Sequence, residues 1–539
     1  MGWEFAPKVT LVESPHVPPS HLALGAARTC YSKRFMRPED VVKEGRLDDR
    51  GKSILKSIGD AGHNTTRQHA MLTFEVADVS RQFLWQFLHV HPFYNSEQVS
   101  QRYVEIKPGA YVTPPLRSDA AKRVFSSTCE SLFTAYEEIK RDLLPVCRAE
   151  LTRRFPKYNS DRWTKELESN AEKRAQEVAR YVAPVATKAF LYHTVSTNVL
   201  ERYVAASQVL GTTGEQLAVV KQMESLLREL DPDYVTLPRE VALEETAEYR
   251  SAINHLRGAD ISGGDIDAYV RDPSVIAGIH SFRAAFDARL DGLTSRLLPG
   301  SEHNEELLAQ AVRDVICRQD LSLDEAIRFA MDMSINPHVY TPSNTATLSP
   351  FARAMQTVHY SFEKRLSHTA DSQDQRHRMT PGSRPVLMLE VGANPDYLIP
   401  TLVRIAGGDV ERNYRAAMET AWGGIGELLR MGEPAESVQY LFPNAKAIRF
   451  AQGTNLLNFQ YKNTLRQCLN AQEEIWQATV EEAKQVLEKN PAIGRFLLPP
   501  CGHRKAAHVA PFCPEGARYC GVRVWDMPQE EFLKYERMI

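Results

Sequence analysis

The chain has 539 residues, which is too long for one ordinary domain and predicts at least two hydrophobic cores. Its formal net charge of -3 gives no electrostatic reason to expect a nucleic-acid partner. We find no run of 18 apolar residues and no leader pattern, so we expect neither a membrane span nor a signal peptide, and the eight cysteines, most of them isolated, are typical of a reducing cytoplasm.

Strand and helix patterns are mixed along the chain, which predicts an α+β fold. Strands are predicted for KVTLVE at 8–13, MLTFEV at 71–76 and PVLMLEV at 385–391. Residues 81–88 are apolar enough for a buried helix. Apolar residues at three-to-four-residue spacing predict four further helices, at 126–144, 215–230, 413–431 and 473–489.

Two segments share one long-range pattern, which indicates an internal repeat. VARYVAPVATKAF at 178–190 matches SVQYLFPNAKAIRF at 437–450, so that Pro184 and Pro443 are corresponding points. The same comparison pairs SEQVSQRYV at 96–104 with ADSQDQRHR at 370–378. We interpret the pattern as a tandem duplication, and the alternative is two unrelated helical domains with similar periodicity. The predicted organisation is a first unit, a polar connecting segment, a second unit and a C-terminal extension, at 1–238, 239–269, 270–495 and 496–539.

The stretch from 62 to 104 combines several polar motifs around the strand and the apolar helix. Gly62-His63-Asn64-Thr65 places short polar side chains at a turn, where they can donate to a ring edge or a phosphate, although a simple turn explains them too. Ser100-Gln101-Arg102-Tyr103 offers an arginine fork beside further donors, which suits a phosphate dianion. The alternative for Arg102 is a salt bridge at a helix end.

This succession resembles the signature region of the flavin-dependent thymidylate synthases (ThyX), in which it holds a flavin and the phosphate of deoxyuridylate. The resemblance implies flavin contacts for His63, Thr65, His89 and His91. It implies nucleotide contacts for Gln86, Ser100, Gln101, Arg102 and Arg180. An amide such as that of Gln86 can pair in both directions with a uracil edge, and the alternative is a glutamine bonded to neighbouring backbone.

One triplet departs from the family pattern. The Arg-His-Arg of the family is replaced by His89-Val90-His91, whose side chains are mostly neutral at pH 7 and donate fewer hydrogen bonds than arginines. Two histidines at this spacing also suggest a metal, but no acidic or cysteine partner is near in sequence. Beyond Pro184 the family's further Asn and Arg are replaced by Phe190, Ser196 and Ser207.

The second unit shows the inverse pattern. Gln439 replaces the arginine that the first unit keeps as Arg180, yet Arg449, Asn455 and Arg466 stand at the family's spacing from Pro443. The resemblance implies flavin contacts for Arg449 and Asn455 and a nucleotide contact for Arg466. Because each unit keeps what the other has lost, we predict one composite site between them, and the alternative is unselected decay.

The loop at 367–385 carries Arg376, His377 and Arg378 near a proline-glycine turn, which makes an anion cradle and a candidate cofactor site. The repeat comparison places this triplet one motif downstream of the family's Arg-His-Arg. An exposed loop with ordinary surface charges is the alternative.

The C-terminal extension carries Cys501, His503, Cys513 and Cys520, and three thiols with one histidine can form a tetrahedral structural zinc site. The spacing is not a paired C-x-x-C, so free buried cysteines or a disulfide are the alternatives.

The resemblance implies a cytoplasmic FAD-dependent methyltransferase that converts dUMP to dTMP with methylenetetrahydrofolate and NADPH. No protein nucleophile is needed, so no catalytic side chain is predicted. The family's sites form between subunits of a homotetramer, which implies a homodimer of this duplicated chain. Three alternatives stay open: methylation of another pyrimidine nucleotide, a flavin- or nucleotide-binding protein without catalysis, and a structural partner of a true synthase.

Overall fold

The structure is a computed structural model that describes residues 5–90, 93–206, 212–236, 266–341 and 343–537. His91, Ser207 and most of the predicted connecting segment, residues 239–265, lie outside the described residues. Within the described ranges, no helix is both long enough and apolar enough to span a membrane.

The first unit contains four strands and seven helices within the described ranges. The strands are β1 Lys8–Glu13, β2 Met71–Ser80, β3 Asn95–Gln98 and β4 Lys188–Ser196. The helices are α1 Pro19–Thr29, α2 Asp49–Asp60, α3 Arg81–Val90, α4 Asp119–Arg154, α5 Thr164–Ala179, α6 Thr197–Ala206 and α7 Gly214–Leu230.

The second unit and the C-terminal extension follow. The strands are β5 Ser295–Leu297, β6 His359–Ser367, β7 Gly382–Ser383 and β8 Ala447–Asn455. The longer helices are α9 Pro273–Leu290, α10 Asn304–Val315, α11 Leu323–Met331, α13 His368–Asp374, α15 Gly408–Arg430, α17 Leu456–Arg466, α18 Glu473–Lys489 and, in the extension, α20 Pro500–Ala506. Short helices are α8 Ile266–Tyr269, α12 Pro350–Ala354, α14 Thr401–Ala406, α16 Ala435–Val438, α19 Pro491–Gly494 and α21 Gln529–Phe532.

Both units build a four-stranded antiparallel sheet with one topology. The strand order is β1-β2-β4-β3 in the first unit and β5-β6-β8-β7 in the second. Alternation sets the buried face of β2, where Leu72, Phe74 and Val76 are fully buried. The α+β fold class, with two small antiparallel sheets and long helices, is thereby confirmed.

The strand predicted at 385–391 is wrong. Residues Leu387–Glu390 form a 3₁₀ turn instead. Leu387, Met388 and Val391 are all buried, and side chains at this spacing share one face of a helical turn, whereas a strand would send Leu387 and Met388 to opposite faces.

The two longest helices pack against each other across the units. Helix α4 begins at its cap Ser118, whose hydroxyl accepts a hydrogen bond from the Ala121 amide. A glycine permits the close approach of α15: a Cβ at Gly424 would lie 2.5 Å from Oγ1 of Thr128 on α4. Residues of both helices share one hydrophobic core, so the two units fold against a common interior.

A buried glutamate ties the end of β2 to the first turn of α7. The Ser80 amide and hydroxyl both donate to the Glu215 carboxylate, at 2.7 and 2.6 Å. A third donor comes from the second unit, the Tyr440 hydroxyl at 2.8 Å. These donors satisfy a carboxyl group that would otherwise be buried without partners.

The second unit repeats the arrangement with the roles of the units exchanged. The Ser367 amide and hydroxyl donate to the Glu474 carboxylate, and Tyr181 of the first unit donates to it at 2.6 Å. Ser80 and Ser367 are therefore equivalent positions, as are Glu215 and Glu474. This equivalence provides a structural register for comparing the two units.

Candidate functional site

The structural register corrects the predicted position of the Arg-His-Arg triplet. Arg376 lies nine residues beyond Ser367, and His89 lies nine residues beyond Ser80. The triplet at 376–378 therefore corresponds to His89-Val90-His91, and its predicted correspondence to the Ser100–Arg102 loop is wrong. The second unit thus keeps the family triplet in its own place.

The two arginines of the triplet face strand β3 of the first unit. Arg376 pairs with Glu97, and both terminal nitrogens of Arg378 lie 3.4 Å from Oδ1 of Asn95. The Arg378 guanidinium also stacks over the Tyr94 ring at 5.1 Å. These side chains line a cavity of about 300 Å³, which we call the triplet cavity. Two cations at an open cavity can hold an anionic group.

The central His377 joins the triplet to Arg466. Arg466 donates through Nε to Nε2 of His377 at 2.9 Å and through Nη2 to the Gln373 carbonyl at 3.0 Å. Burial and the neighbouring Arg466 hold the pKa of His377 well below its usual range, so the ring is neutral and accepts this bond. Burial also lowers the pKa of Arg466, to about 10.

Arg102 reaches the same region from the first unit. Its guanidinium pairs with Glu177 at 3.1 Å and donates to the Asn470 carbonyl of the second unit at 2.8 Å. The Ser100 hydroxyl accepts a hydrogen bond from the Arg102 amide at 3.3 Å, which shapes the loop. The structure therefore brings the Ser100–Arg102 loop and Arg466 to one place.

Gln101 and Arg180 are buried between the units. Gln101 accepts a hydrogen bond from Asn444 at 3.3 Å. Arg180 donates to Oε1 of Gln472 at 3.2 Å, and the same oxygen accepts from the side chain of Gln373. Gln373 stands six residues beyond Ser367, as Gln86 stands six beyond Ser80, so it is the second unit's equivalent of Gln86. Gln373 is not among the predicted site residues, because aligning 370–378 with 96–104 pairs it with Val99 rather than with Gln86.

A second cavity opens between the units around Arg102 and Arg466, and we call it the seam cavity. Its volume is about 350 Å³. Seven lysines and arginines line it against three glutamates, so its walls carry a net positive charge that favours an anionic ligand. The cationic side chains are Arg102, Arg154, Lys157, Lys173, Arg174, Arg466 and Arg518.

A buried ionic cluster lies behind the triplet and was not predicted. Lys462 donates to Asp374 at 2.7 Å and to the Gln452 side chain at 2.6 Å, while Lys364 pairs with Glu482 at 2.5 Å. Burial lowers the pKa of Lys462 to about 8, and the Lys462 and Lys364 cations hold that of Asp374 well below its usual range. Paired charges of this kind fix the backbone that precedes His377.

The first unit has aromatic side chains at the equivalent positions. Phe87 is seven residues beyond Ser80, as Asp374 is beyond Ser367, and Tyr203 is 19 beyond Pro184, as Lys462 is beyond Pro443. Phe87 and Tyr203 stack with their centroids 4.3 Å apart. At these two positions, the ion pair is therefore present only in the unit that carries Arg376–Arg378.

His89 is half-buried and lines neither the triplet cavity nor the seam cavity, so its predicted cofactor contact stays a prediction. Its ring meets Trp85 edge-on at 5.1 Å and lies 3.7 Å from Asp371. Burial lowers its pKa to about 3, which leaves it neutral and unsuited to a phosphate. Asp371 is held instead by Arg384 at 2.8 Å and by Trp85 at 2.7 Å. Gln86, on the same helix, is half-buried.

Two predicted flavin ligands of the second unit have other partners. Arg449 is held by Asp287 and Asp396, which together receive four hydrogen bonds of 2.7 to 3.2 Å from its guanidinium. These bonds engage all three guanidinium nitrogens of Arg449, and its flavin contact stays a prediction. Asn455 caps α17 by accepting the Asn458 amide at 3.0 Å.

The predicted GHxT turn lies at the surface of the first unit. His63 and Thr65 are exposed, and they flank the start of the 3₁₀ turn Asn64–Gln68. Neither residue lines the seam cavity or the triplet cavity.

The predicted zinc ligands are only partly brought together. Cys501, Cys513 and Cys520 line one small cavity, but His503 Nε2 faces Thr464 at 3.1 Å and Gln460 at 3.4 Å. The His503 ring is buried among those partners, and zinc binding by the set with His503 stays a prediction. In the described part of the chain, no three His, Cys, Asp or Glu side chains already stand at metal-ligand positions.

Comparison with known proteins places the chain in a family. The family model described as thymidylate synthase complementing protein (Thy1) matches residues 11–233 and again residues 304–492. A flavin-dependent thymidylate synthase of Nitratidesulfovibrio vulgaris is 29% identical over 233 residues, which cover 42% of this chain and 84% of that protein.

Two further proteins show similarity. A UPF0159 protein of Chlamydia muridarum is 25% identical over 467 residues, covering 84% of this chain and 79% of its own. The solved structure of thymidylate synthase X from Helicobacter pylori with FAD and dUMP is 16% identical, has a TM-score of 0.28 and covers 40% of this chain and 92% of its own. Because the family model matches more than half of its residues, the chain belongs to the thymidylate synthase complementing protein (ThyX) family.

Proposed function

We propose that the protein is a flavin-dependent enzyme that reductively methylates carbon 5 of a uracil nucleotide and converts dUMP to dTMP. Methylenetetrahydrofolate supplies the carbon, and NADPH supplies the reducing equivalents through FAD. One observation carries the proposal: Arg102 of the first unit and Arg466 of the second line one cation-rich cavity between the units.

The nucleotide belongs in the seam cavity. Arg102 offers a guanidinium fork to the phosphate, and a dianion there competes with Glu177 for the same donors. Arg466 adds a second cation from the facing unit. Gln373 takes the role predicted for Gln86, since its amide can pair with a uracil edge. The equivalent arrangement with the units exchanged keeps Gln86 but lacks two of the arginines, because Ser207 stands at the position of Arg466 and Gln439 at that of Arg180. We therefore expect one nucleotide per chain.

The flavin belongs beside the triplet cavity. Arg376 and Arg378 fit an anionic pyrophosphate, since both point at an open cavity and neither is locked in a buried ion pair. When bound, the flavin supplies the hydride chemistry of the reaction. The protein's own groups bind and orient: Arg376 and Arg378 neutralise charge, and neutral His377 holds Arg466 toward the nucleotide.

The proposed flavin site includes residues from a second copy of the chain. His63 and Thr65 are exposed on the first unit, outside both cavities, so a flavin contact from them requires a second copy. A homodimer of the duplicated chain supplies them in place of the homotetramer expected for the family. Light scattering is expected to give twice the mass of 60.9 kDa, and a monomer at micromolar concentration would contradict the dimer.

An anaerobic assay tests the reaction. The protein is mixed with FAD, NADPH, methylenetetrahydrofolate and dUMP, and thymidylate is the expected product. A parallel reaction with UMP identifies methylation of the ribonucleotide. Bound flavin without product from either nucleotide would overturn the catalytic proposal and favour a non-catalytic binding protein.

A further inference from the structure

Four of the eight cysteines line one cavity at the junction of the second unit and the C-terminal extension. Cys468 follows α17, Cys501 lies on α20, and Cys513 and Cys520 lie in the irregular segment after it. This cavity is small, with a volume of about 20 Å³. The other cysteines lie elsewhere: Cys30 and Cys317 are exposed, while Cys129 and Cys147 are buried in α4.

The four thiols line one small cavity together with apolar side chains such as Val522, Val524 and Trp525. All four are free thiols that are half-buried. Neutral thiols are poor hydrogen-bonding groups, so hydrogen bonding between them does not explain why four of them line one cavity.

Two buried apolar residues of the extension, Val524 and Phe532, pack in one cluster with Trp476 and Val480 of α18. Between α20 and α21 the regular structure of the extension consists of two 3₁₀ turns, Gly516–Arg518 and Val524–Asp526. Two glycines with positive φ follow the thiols: Gly516 (φ 55) three residues after Cys513, and Gly521 (φ 82) directly after Cys520. Turns of this kind hold ligands in small metal-dependent modules, where metal binding replaces a hydrophobic core.

We propose that Cys468, Cys501, Cys513 and Cys520 bind one Zn²⁺ ion as four thiolates. Four S–H bonds break, four protons pass to solvent, and four Zn–S bonds form without any change of oxidation state. Since no three ligands in the described ranges already stand at metal-ligand positions, binding draws the side chains together by rotation within the cavity. Thiolate ligands select zinc over harder cations.

The site would fasten the extension to the wall of the seam cavity. Cys468 and Cys520 line both cavities, and Tyr519 lies beside them in the same two walls. Gly521 also packs against the first unit, since a Cβ there would lie 2.8 Å from the Phe155 ring. Metal binding therefore fixes a segment that touches both units.

Elemental analysis of the full-length protein, purified without a metal-affinity tag and incubated with Zn²⁺ before desalting, tests the site. We expect one zinc per chain in the wild type, in Cys317→Ser and in His503→Gln. We expect Cys468→Ser and Cys513→Ser to lose at least nine-tenths of it. A wild type that retains no zinc, or a Cys468→Ser protein that retains all of it, would overturn the proposal.

Cobalt provides a readout that does not depend on yield or activity. Reconstitution with Co²⁺ under reducing, anaerobic conditions is expected to give the intense thiolate-to-cobalt absorption of a tetrahedral four-sulfur site, and Cys317→Ser should preserve it. If the serine variants fail to fold, the wild-type spectrum alone decides: a spectrum of octahedral cobalt, or oxidation of the four thiols to two disulfides in the purified protein, would contradict the assignment.

Discussion

Pro184 and Pro443 pair with each other in an antiparallel bridge between the two units. The Val185 amide beside them donates to the Phe442 carbonyl at 2.8 Å. Two corresponding residues that contact each other place a local two-fold axis between them. The interface between the units is therefore approximately self-complementary, and divergence of the two sequences has made its two sides chemically different.

Glu215 makes stability depend on pH. Burial raises the pKa of Glu215 to about 7, from about 4.5 for an exposed glutamate. Because the folded-state pKa is the higher one, this group's stabilisation is complete below about pH 4.5 and is lost as the pH rises through about 7. We expect Glu215→Gln to lessen the fall in unfolding free energy between pH 5 and 8 by up to about 3 kcal/mol.

Denaturant unfolding at several pH values measures this effect. Glu419→Gln, on the exposed face of α15, is the matched control and should follow the wild-type curve. If Glu215→Gln shows the same pH dependence as the wild type, Glu215 is not the source of the effect.

Gly424 is expected to tolerate no side chain. Gly424→Ala would bring a Cβ within 2.5 Å of Thr128 Oγ1, so we expect a loss of about 1–3 kcal/mol from overpacking between α4 and α15. Gly423→Ala on the same helix meets no atom within 4 Å and is expected to stabilise the helix by about 0.5–1 kcal/mol. Thermal unfolding compares them, and equal effects of both variants would contradict the close packing.

The buried Lys462 is expected to stabilise the folded protein only while the Asp374 carboxylate beside it is charged. Lys462→Met leaves that carboxylate without its nearest cation and should cost about 3–5 kcal/mol. Asp374→Leu/Lys462→Met should recover part of this loss, because the first unit packs apolar rings at the same two positions. A double variant as unstable as the sum of the two single variants would refute this compensation.

Flavin retention is expected to depend on the second unit's triplet. Arg378→Gln removes a charge from the triplet cavity and should reduce FAD affinity about tenfold or more, by about 1.5–3 kcal/mol for a bond to a charged group. Arg353→Gln removes an exposed arginine of the same unit, outside the lining of that cavity, and should leave affinity unchanged. Fluorescence titration with FAD measures both, and equal affinities would exclude Arg378 as a ligand.

The sequence predicted the family and the corresponding prolines because these depend on spacing along continuous helices and strands. The sequence did not predict which residues of the first unit correspond to the triplet. Helix α13 ends at Asp374, whereas α3 continues to Val90, so the two helices share no apolar pattern that would align them. The sequence pattern also indicates His503, and not Cys468, as the partner of the C-terminal thiols. His503 is near them in sequence, but only folding brings Cys468 beside them.

Calorimetric titration of dUMP into the wild type, Arg102→Ala and Arg466→Ala tests the composite seam site most directly. We expect one nucleotide per chain in the wild type and a loss of about 1.5–3 kcal/mol in each variant, roughly ten- to 150-fold in affinity. Arg412→Ala, an exposed arginine of α15, should bind like the wild type. Two nucleotides per chain, or wild-type affinity in either seam variant, would contradict a single site built from both units.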